Sequence, residues 1–147
     1  MGLFSPARDP EDPEQLATAA HELGHAWVWK DAGFTVTEIR FLGDEGWVSL
    51  AKVRESDWDQ RAIRDYAVGC WAGFEAEERW RREHRLKPAR RGHAAHDIKV
   101  FKNFAKELKP ALSEGKARSL ARDRVARRWS QIQRQAPVLV RDGRISL

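Results

Sequence analysis

Apolar residues recur at helical spacing near the start of the chain. Positions i, i+4, i+7 and i+11 of this segment are occupied by Leu16, Ala20, Leu23 and Trp27. The spacing predicts a helix with one apolar stripe, which Asp12 can cap, Pro13 can begin and Gly33 can end. Val28 adds apolar character on the other side of this helix, so we expect it to be packed between other elements.

An alternating pattern follows the first predicted helix. Polar and apolar side chains alternate over residues 35–42, which predicts a half-buried strand. Residues 43–46 contain two glycines and predict a turn, after which residues 47–51 return as a second strand. This part of the chain is therefore expected to form a small β-hairpin or sheet.

Three further helices are predicted from the spacing of apolar residues. They cover residues 56–84, residues 94–108 and, as one long C-terminal helix, residues 111–135. Pro137 is expected to end the last helix, and residues 138–147 are expected to form a terminal hairpin around the Asp-Gly turn. The predicted fold class is α+β and mostly helical.

The composition favours one folded domain over residues 1–147. The chain is 41% hydrophobic and has seven tryptophans, most of which we expect in the core. Its single cysteine, Cys70, excludes an internal disulfide and a cysteine-based zinc site. Because there is no signal-peptide pattern and no apolar stretch of 18 residues, we expect a cytoplasmic protein without a membrane segment.

Charge is distributed unevenly along the chain. Residues 1–78 carry 7 basic and 16 acidic side chains, whereas residues 79–147 carry 20 basic and 6 acidic ones. The basic half suits nucleic acid or an acidic partner. The interpretation we prefer is that its arginine-rich helices dock on the acidic half, so nucleic-acid binding is possible but not favoured.

Residues 21–25 read H-E-L-G-H and match the pattern H-E-x-x-H on the first predicted helix. Histidines four residues apart project from the same helical face, so His21 and His25 can bind one metal ion. Glu22 can accept a proton from water bound to that metal. A catalytic zinc usually takes a third protein ligand, and residue chemistry alone leaves several candidates open. These candidates are Glu77, Glu78, His93, His96 and Asp97.

Three segments resemble the peptidase domain of FtsH-type ATP-dependent zinc metalloproteases. Residues 18–26 (T-A-A-H-E-L-G-H-A) resemble the zinc helix, and residues 73–78 (G-F-E-A-E-E) resemble the family's G-R-A-A-E-E segment. Residues 93–98 (H-A-A-H-D-I) resemble its G-A-S-N-D-[IL] segment, whose aspartate binds zinc. The resemblance covers about residues 14–108, and it leaves residues 111–147 as a basic C-terminal helix and tail.

The resemblance implies a zincin-like fold and assigns roles to particular residues. His21, His25 and Asp97 would bind Zn²⁺, Glu22 would be the general base, and Glu77 would orient a ligand. Phe74 and His96 depart from the family, which has arginine and asparagine there, and His96 could compete for the metal. The ATPase phosphate-binding motif and the membrane segments of these proteases have no counterpart in the sequence, so we expect a free-standing peptidase domain.

The preferred hypothesis is a zinc metallopeptidase that hydrolyses peptide bonds in flexible or unfolded chains, with metal-bound water activated by Glu22. Two His ligands and one carboxylate suit zinc and also iron(II). One alternative is a metal-dependent enzyme that acts on a small amide or a biosynthetic intermediate. The other is a non-catalytic binding protein that uses the basic C-terminal half.

Overall fold

The computed structural model describes residues 6–147, which fold into five helices and one small sheet. The helices are α1 (Pro13–Asp31), α2 (Gln60–Glu83), α3 (Ala95–Ala105), α4 (Glu114–Arg127) and α5 (Trp129–Asp142). The strands β1 (Val36–Phe41), β2 (Gly46–Leu50) and β3 (Arg144–Ile145) form an antiparallel sheet in the order β2-β1-β3. Short 3₁₀ turns cover Glu55–Asp57 and Arg91–Ala94. The predicted mostly helical α+β class is confirmed.

Helix α1 lies at the centre of the fold. Asp12 caps it, since its carboxylate accepts a hydrogen bond from the Glu14 backbone N–H at 2.9 Å. Both Leu23 and Val28 are buried although they point to different sides, because α1 packs against α2, α5, β1 and β2. The expectation that α1 is packed on more than one side is therefore confirmed.

Glycine at position 24 sets the distance between α1 and α2. A Cβ atom at Gly24 would lie 2.6 Å from the backbone oxygen of Ala72 and 2.6 Å from the Cβ of Ala76. Neither atom belongs to a flexible side chain, so a methyl group would have to push the two helices apart. Gly24 is thus required for close helix packing around the histidines.

We expect Gly24→Ala to destabilise the protein by about 1–3 kcal/mol through overpacking, although alanine has the higher helix propensity. Gly115→Ala is the matched control in α4, because a Cβ there meets nothing within 4 Å. The control should be neutral or more stable by up to about 1 kcal/mol. Urea unfolding measures the free energy of unfolding of both variants. Equal changes in the two variants would contradict the close contact between α1 and α2 at Gly24.

The end of the chain differs from its prediction in two ways. The expected long helix over residues 111–135 is two helices, which meet at Arg128. There the chain turns, and Arg128 pairs with Asp31 at 2.6 Å while its guanidinium lies 4.4 Å from the Trp27 ring centre. Because no glycine or proline marks this break, the apolar spacing alone did not reveal it.

The predicted terminal hairpin over residues 138–147 is wrong. Helix α5 continues through Pro137, whose cost inside a helix is about 3 kcal/mol. Leu139 and Val140, which follow Pro137 in the helix, are fully buried. Burial of each side chain stabilises the fold by about 1.5–3 kcal/mol, which offsets the free-energy cost of the proline. Gly143 (φ 78°) then ends α5, and β3 pairs with β1 instead.

Two other boundaries moved by a few residues. Helix α2 begins at Gln60 and not near Ser56, because Asp59 is its cap and accepts a hydrogen bond from the Ala62 N–H at 2.8 Å. Helix α3 ends at Ala105 and not at residue 108, although Leu108 beyond it is buried.

Arginines of α4 pair with acidic residues of α2. Arg118 and Arg122 contact the buried carboxylate of Glu75 at 2.7 and 3.3 Å, and Arg124 contacts Asp65 at 3.1 Å. These contacts are the ones that the docking interpretation of the basic half predicts. Within residues 6–147, no helix combines the length and the apolarity needed to cross a lipid bilayer.

Candidate metal centre

Three side chains that were predicted as metal ligands converge at one point. His21 and His25 lie on α1, one turn apart, and Asp97 lies in the first turn of α3. Asp97 Oδ2 is 3.1 Å from His21 Nε2 and 3.0 Å from His25 Nε2, and the two Nε2 atoms are 3.2 Å apart. Among residues 6–147, these three side chains form a group that could hold a metal ion.

The outer nitrogens of both imidazoles are committed to other partners. His25 Nδ1 is 2.7 Å from the backbone oxygen of Gly69, which can only accept, so this nitrogen carries a proton. His21 Nδ1 is 3.0 Å from Glu77 Oε1 and donates to that carboxylate. Because Nδ1 is the donor in each ring, Nε2 is the atom that can offer a lone pair to a metal ion beside Asp97.

The two Nε2 atoms and Asp97 Oδ2 lie 3.0–3.2 Å apart, a spacing that a positive charge between them stabilises, either a proton or a metal ion. A tetrahedral zinc ion with bonds of about 2.0–2.1 Å has ligand-to-ligand distances of about 3.3–3.4 Å, close to the separations here. The chemistry of the donor set and its spacing therefore fit zinc, and the hydrogen-bonded outer nitrogens are typical of metal-ligating histidines.

Electrostatics in the cluster also favour a positive charge. Burial opposes protonation of His21, but its hydrogen bonds with Asp97 and Glu77 outweigh burial and raise the pKa of His21 to about 10. Burial would raise the pKa of Asp97, yet His25 and His21 hold that pKa well below its ordinary value. The same field that stabilises a proton at this point stabilises a bound metal ion.

Small residues of α2 make room for the histidines. A Cβ at Gly73 would overlap His25 Nε2 and would lie 2.7 Å from His21 Cδ2. A Cβ at Gly69 would overlap the indole of Trp29, which stacks on His25 with ring centres 4.9 Å apart. The sequence did not predict that the Gly69 carbonyl would fix the orientation of His25.

A chain of charged side chains extends from His21 to the surface. Glu77 is buried, and its second oxygen accepts a hydrogen bond from Arg81 Nε at 2.7 Å. Arg81 in turn donates to Glu14 Oε1 at 2.7 Å. Burial would raise the pKa of Glu77, but His21 and Arg81 lower it, so the carboxylate stays ionised and holds the His21 ring. Nothing in the sequence pattern pointed to Arg81 or Glu14.

Glu22 lies beside His21 and His25 but does not belong to the group of candidate metal ligands. It is only 9% exposed, and within residues 6–147 its carboxylate has no hydrogen-bond or ion-pair partner. Burial raises its pKa above the ordinary value, while nearby His21 and His25 oppose the shift. A buried, unpaired carboxylate of raised pKa that faces a cavity is well placed to accept a proton.

The remaining candidates occupy different positions. His96 is exposed beside Asp97 and lines the cleft, whereas Glu78 is half-buried on α2 and does not join the group. His93 is exposed but also lines the cleft. The structure thus brings Asp97 to the two histidines and leaves His93, His96 and Glu78 outside the group.

The centre opens into a cleft formed by two cavities of about 520 and 500 Å³. The lining of the first includes the acidic residues Asp12, Glu14, Asp44 and Glu45. The lining of the second includes the apolar and aromatic residues Trp29, Trp47, Val48, Tyr66 and Val100. Residues shared by both cavities are His21, Glu22, Glu45, Gly46 and His93, so the candidate metal centre lies where the cavities meet.

Strand β2 borders this cleft with a free edge. It is the outer strand of the sheet described for residues 6–147. In β1, the Phe41 N–H donates a hydrogen bond to the oxygen of Gly143, on the side where β3 lies. Gly46 is the β2 residue opposite Phe41, so these two residues share no backbone hydrogen bond, and the backbone polar groups of Gly46 point away from β1. By the same alternation, Val48 also faces outward. Two residues of β2 can therefore pair with another extended chain.

No model of a known protein family matches the sequence, and no curated protein proved similar to it. The geometry of the cleft is therefore the observation on which a functional proposal can rest.

Proposed function

We propose that the chain is a zinc-dependent peptidase similar to the peptidase domain of FtsH-type metalloproteases. The observation that carries this proposal is the meeting of His21, His25 and Asp97 beside the unpaired carboxylate of Glu22, at the floor of a cleft. Two histidines and one carboxylate form a common ligand set of catalytic zinc in peptidases.

Each functional residue of the cleft has a separate role in the proposed reaction. His21, His25 and Asp97 would hold zinc, which acts as a Lewis acid on the scissile carbonyl and lowers the pKa of water. Glu22 accepts a proton from the attacking water and passes it to the nitrogen of the leaving amine. Glu77 keeps the His21 ring oriented through its 3.0 Å hydrogen bond to Nδ1.

The free edge of β2 supports an extended polypeptide as substrate. A peptide that adds to β2 would pair with the outward backbone groups of Gly46 and Val48 and so pass over the metal centre. A folded protein offers few unpaired extended segments, because its backbone groups already bond to one another. We therefore infer that flexible or unfolded chains are the preferred substrates.

A cleavage profile of an unfolded-peptide library tests this function. The zinc-loaded protein should cut peptides, the chelated protein should not, and restored zinc should restore cleavage. Products identified by mass spectrometry would also reveal which side chains the aromatic and acidic cavities accept. If the zinc-loaded protein cuts no peptide in a broad library, the peptidase proposal fails, and a small amide or biosynthetic intermediate becomes the better substrate class.

A further inference from the structure

Among residues 6–147, His93 is the residue of the segment between α2 and α3 that lines both cavities of the cleft. It lies in the 3₁₀ turn Arg91–Ala94 between α2 and α3, and the other residues shared by both cavities come from α1 and from the turn and strand at Glu45 and Gly46. Ala94 next to it is 2% exposed and anchors the turn in the core. His93 itself is exposed and lines both cavities, so it is accessible to a substrate in the cleft.

A hydrogen-bond donor at this junction would add to the stabilisation that a metal ion gives the carbonyl oxygen during peptide hydrolysis. When the oxygen of water adds to the carbonyl carbon, the carbonyl oxygen becomes negatively charged, and it returns to a carbonyl when the C–N bond breaks and the amine takes the proton from Glu22. Glu22 is occupied by the proton that it takes from water and passes to the amine, and His21 is committed to Glu77 and the ligand group.

The ring of His93 has a donor available. Within residues 6–147 its side chain makes no hydrogen bond, and only its backbone N–H is used, toward the oxygen of Arg90 at 3.0 Å. An imidazole carries at least one N–H in every tautomer, so the donor is present whether or not the ring is charged. In the FtsH-type segment glycine stands at the corresponding position, so this role does not come from the resemblance.

We propose that His93 donates a hydrogen bond to the scissile carbonyl oxygen as negative charge develops on it. The proposal rests on the peptidase function, since it assigns a residue to the transition state of that reaction. The substrate lies between the β2 edge at Gly46 and the ring of His93, with Glu22 beneath the scissile bond.

Kinetics of His93 variants provide the first test. We expect His93→Ala to lower kcat by about 10²–10³-fold, the usual effect of losing one such donor, with KM within about 3-fold of wild type. His93→Gln keeps an N–H donor and should recover part of the loss. His84→Ala replaces an exposed histidine outside the cleft and should retain wild-type kcat. Unchanged kcat in His93→Ala would overturn the proposal.

Binding of a phosphinic pseudopeptide separates this proposal from the peptidase function. Its PO₂⁻ group mimics the tetrahedral oxyanion, and calorimetry on zinc-loaded protein measures affinity without turnover. We expect His93→Ala to bind it about 10–100-fold more weakly than wild type. If His93→Ala shows this loss of affinity but wild type cleaves no peptide, the peptidase function is rejected, whereas the hydrogen bond from His93 to the oxyanion mimic is supported. If wild type and His93→Ala bind the pseudopeptide equally well and peptide cleavage is normal, only the donor role of His93 is rejected. If wild type does not bind the pseudopeptide, both the donor role and the peptidase function are rejected.

Discussion

Replacing Glu22 with glutamine is expected to slow peptide hydrolysis by about 10²–10⁴-fold, the usual loss when a general base is removed. Glutamine has nearly the same shape but cannot accept the proton of the attacking water at neutral pH. Glu22 is not among the three candidate ligands, so the metal content of Glu22→Gln should equal that of wild type. Peptide cleavage rates and metal analysis of the same preparation measure both expectations.

Glu11→Gln is the matched control for Glu22→Gln, because Glu11 is an exposed glutamate that does not line the cleft. It should cleave peptides at the wild-type rate. Circular dichroism of the two variants should be the same as that of wild type. Near-normal turnover in Glu22→Gln would contradict the proposed mechanism, whereas loss of metal in that variant would place Glu22 among the ligands.

The first part of the site could be predicted because it depends only on helix geometry. The spacing of His21 and His25 places both rings on one face of α1 whatever surrounds the helix. The cap at Asp12 and the apolar stripe fixed the helix itself from local residues. The hairpin of β1 and β2 was predictable for the same reason, since alternation and a glycine turn are local signals.

The third candidate ligand depends on a contact that residue chemistry does not encode. Asp97 is 72 residues from His25, and five candidates fitted the chemistry equally well before the resemblance to FtsH-type peptidases favoured one of them. The packing of α3 on α2 decides which carboxylate reaches the histidines, and that packing follows from the whole core. Gly69 was missed for a similar reason, since a backbone carbonyl leaves no mark in a sequence pattern.

The C-terminal errors have a different origin. Proline is a strong local signal for a helix end, and an Asp-Gly pair is a strong local signal for a hairpin. The prediction for residues 138–147 was based on these two signals. In the folded protein the burial of Leu139 and Val140 against the core overrides the signal from Pro137. Local preferences of a few kcal/mol thus predict structure only where tertiary burial does not oppose them.

Loss of Asp97 is expected to remove the metal. Wild type should bind one zinc ion per chain, with bonds of about 2.0–2.2 Å to His21, His25 and Asp97. Glu77→Gln should weaken zinc binding by about 10–100-fold, as is usual when a residue that orients a ligand is changed. Asp97→Ala removes a ligand directly and should therefore weaken binding more than Glu77→Gln does. Competition with a chromogenic chelator measures the three affinities.

Asp57→Ala is the control for Asp97→Ala, because Asp57 is an exposed aspartate in the 3₁₀ turn before α2. It should bind zinc as wild type does. Full zinc occupancy in Asp97→Ala would reject Asp97 as a ligand and would favour His96, its exposed neighbour in the cleft, or Glu77. Zinc-edge X-ray absorption distinguishes these outcomes, because replacement of an oxygen ligand by a third imidazole changes the scattering around the metal, whereas replacement by another carboxylate does not.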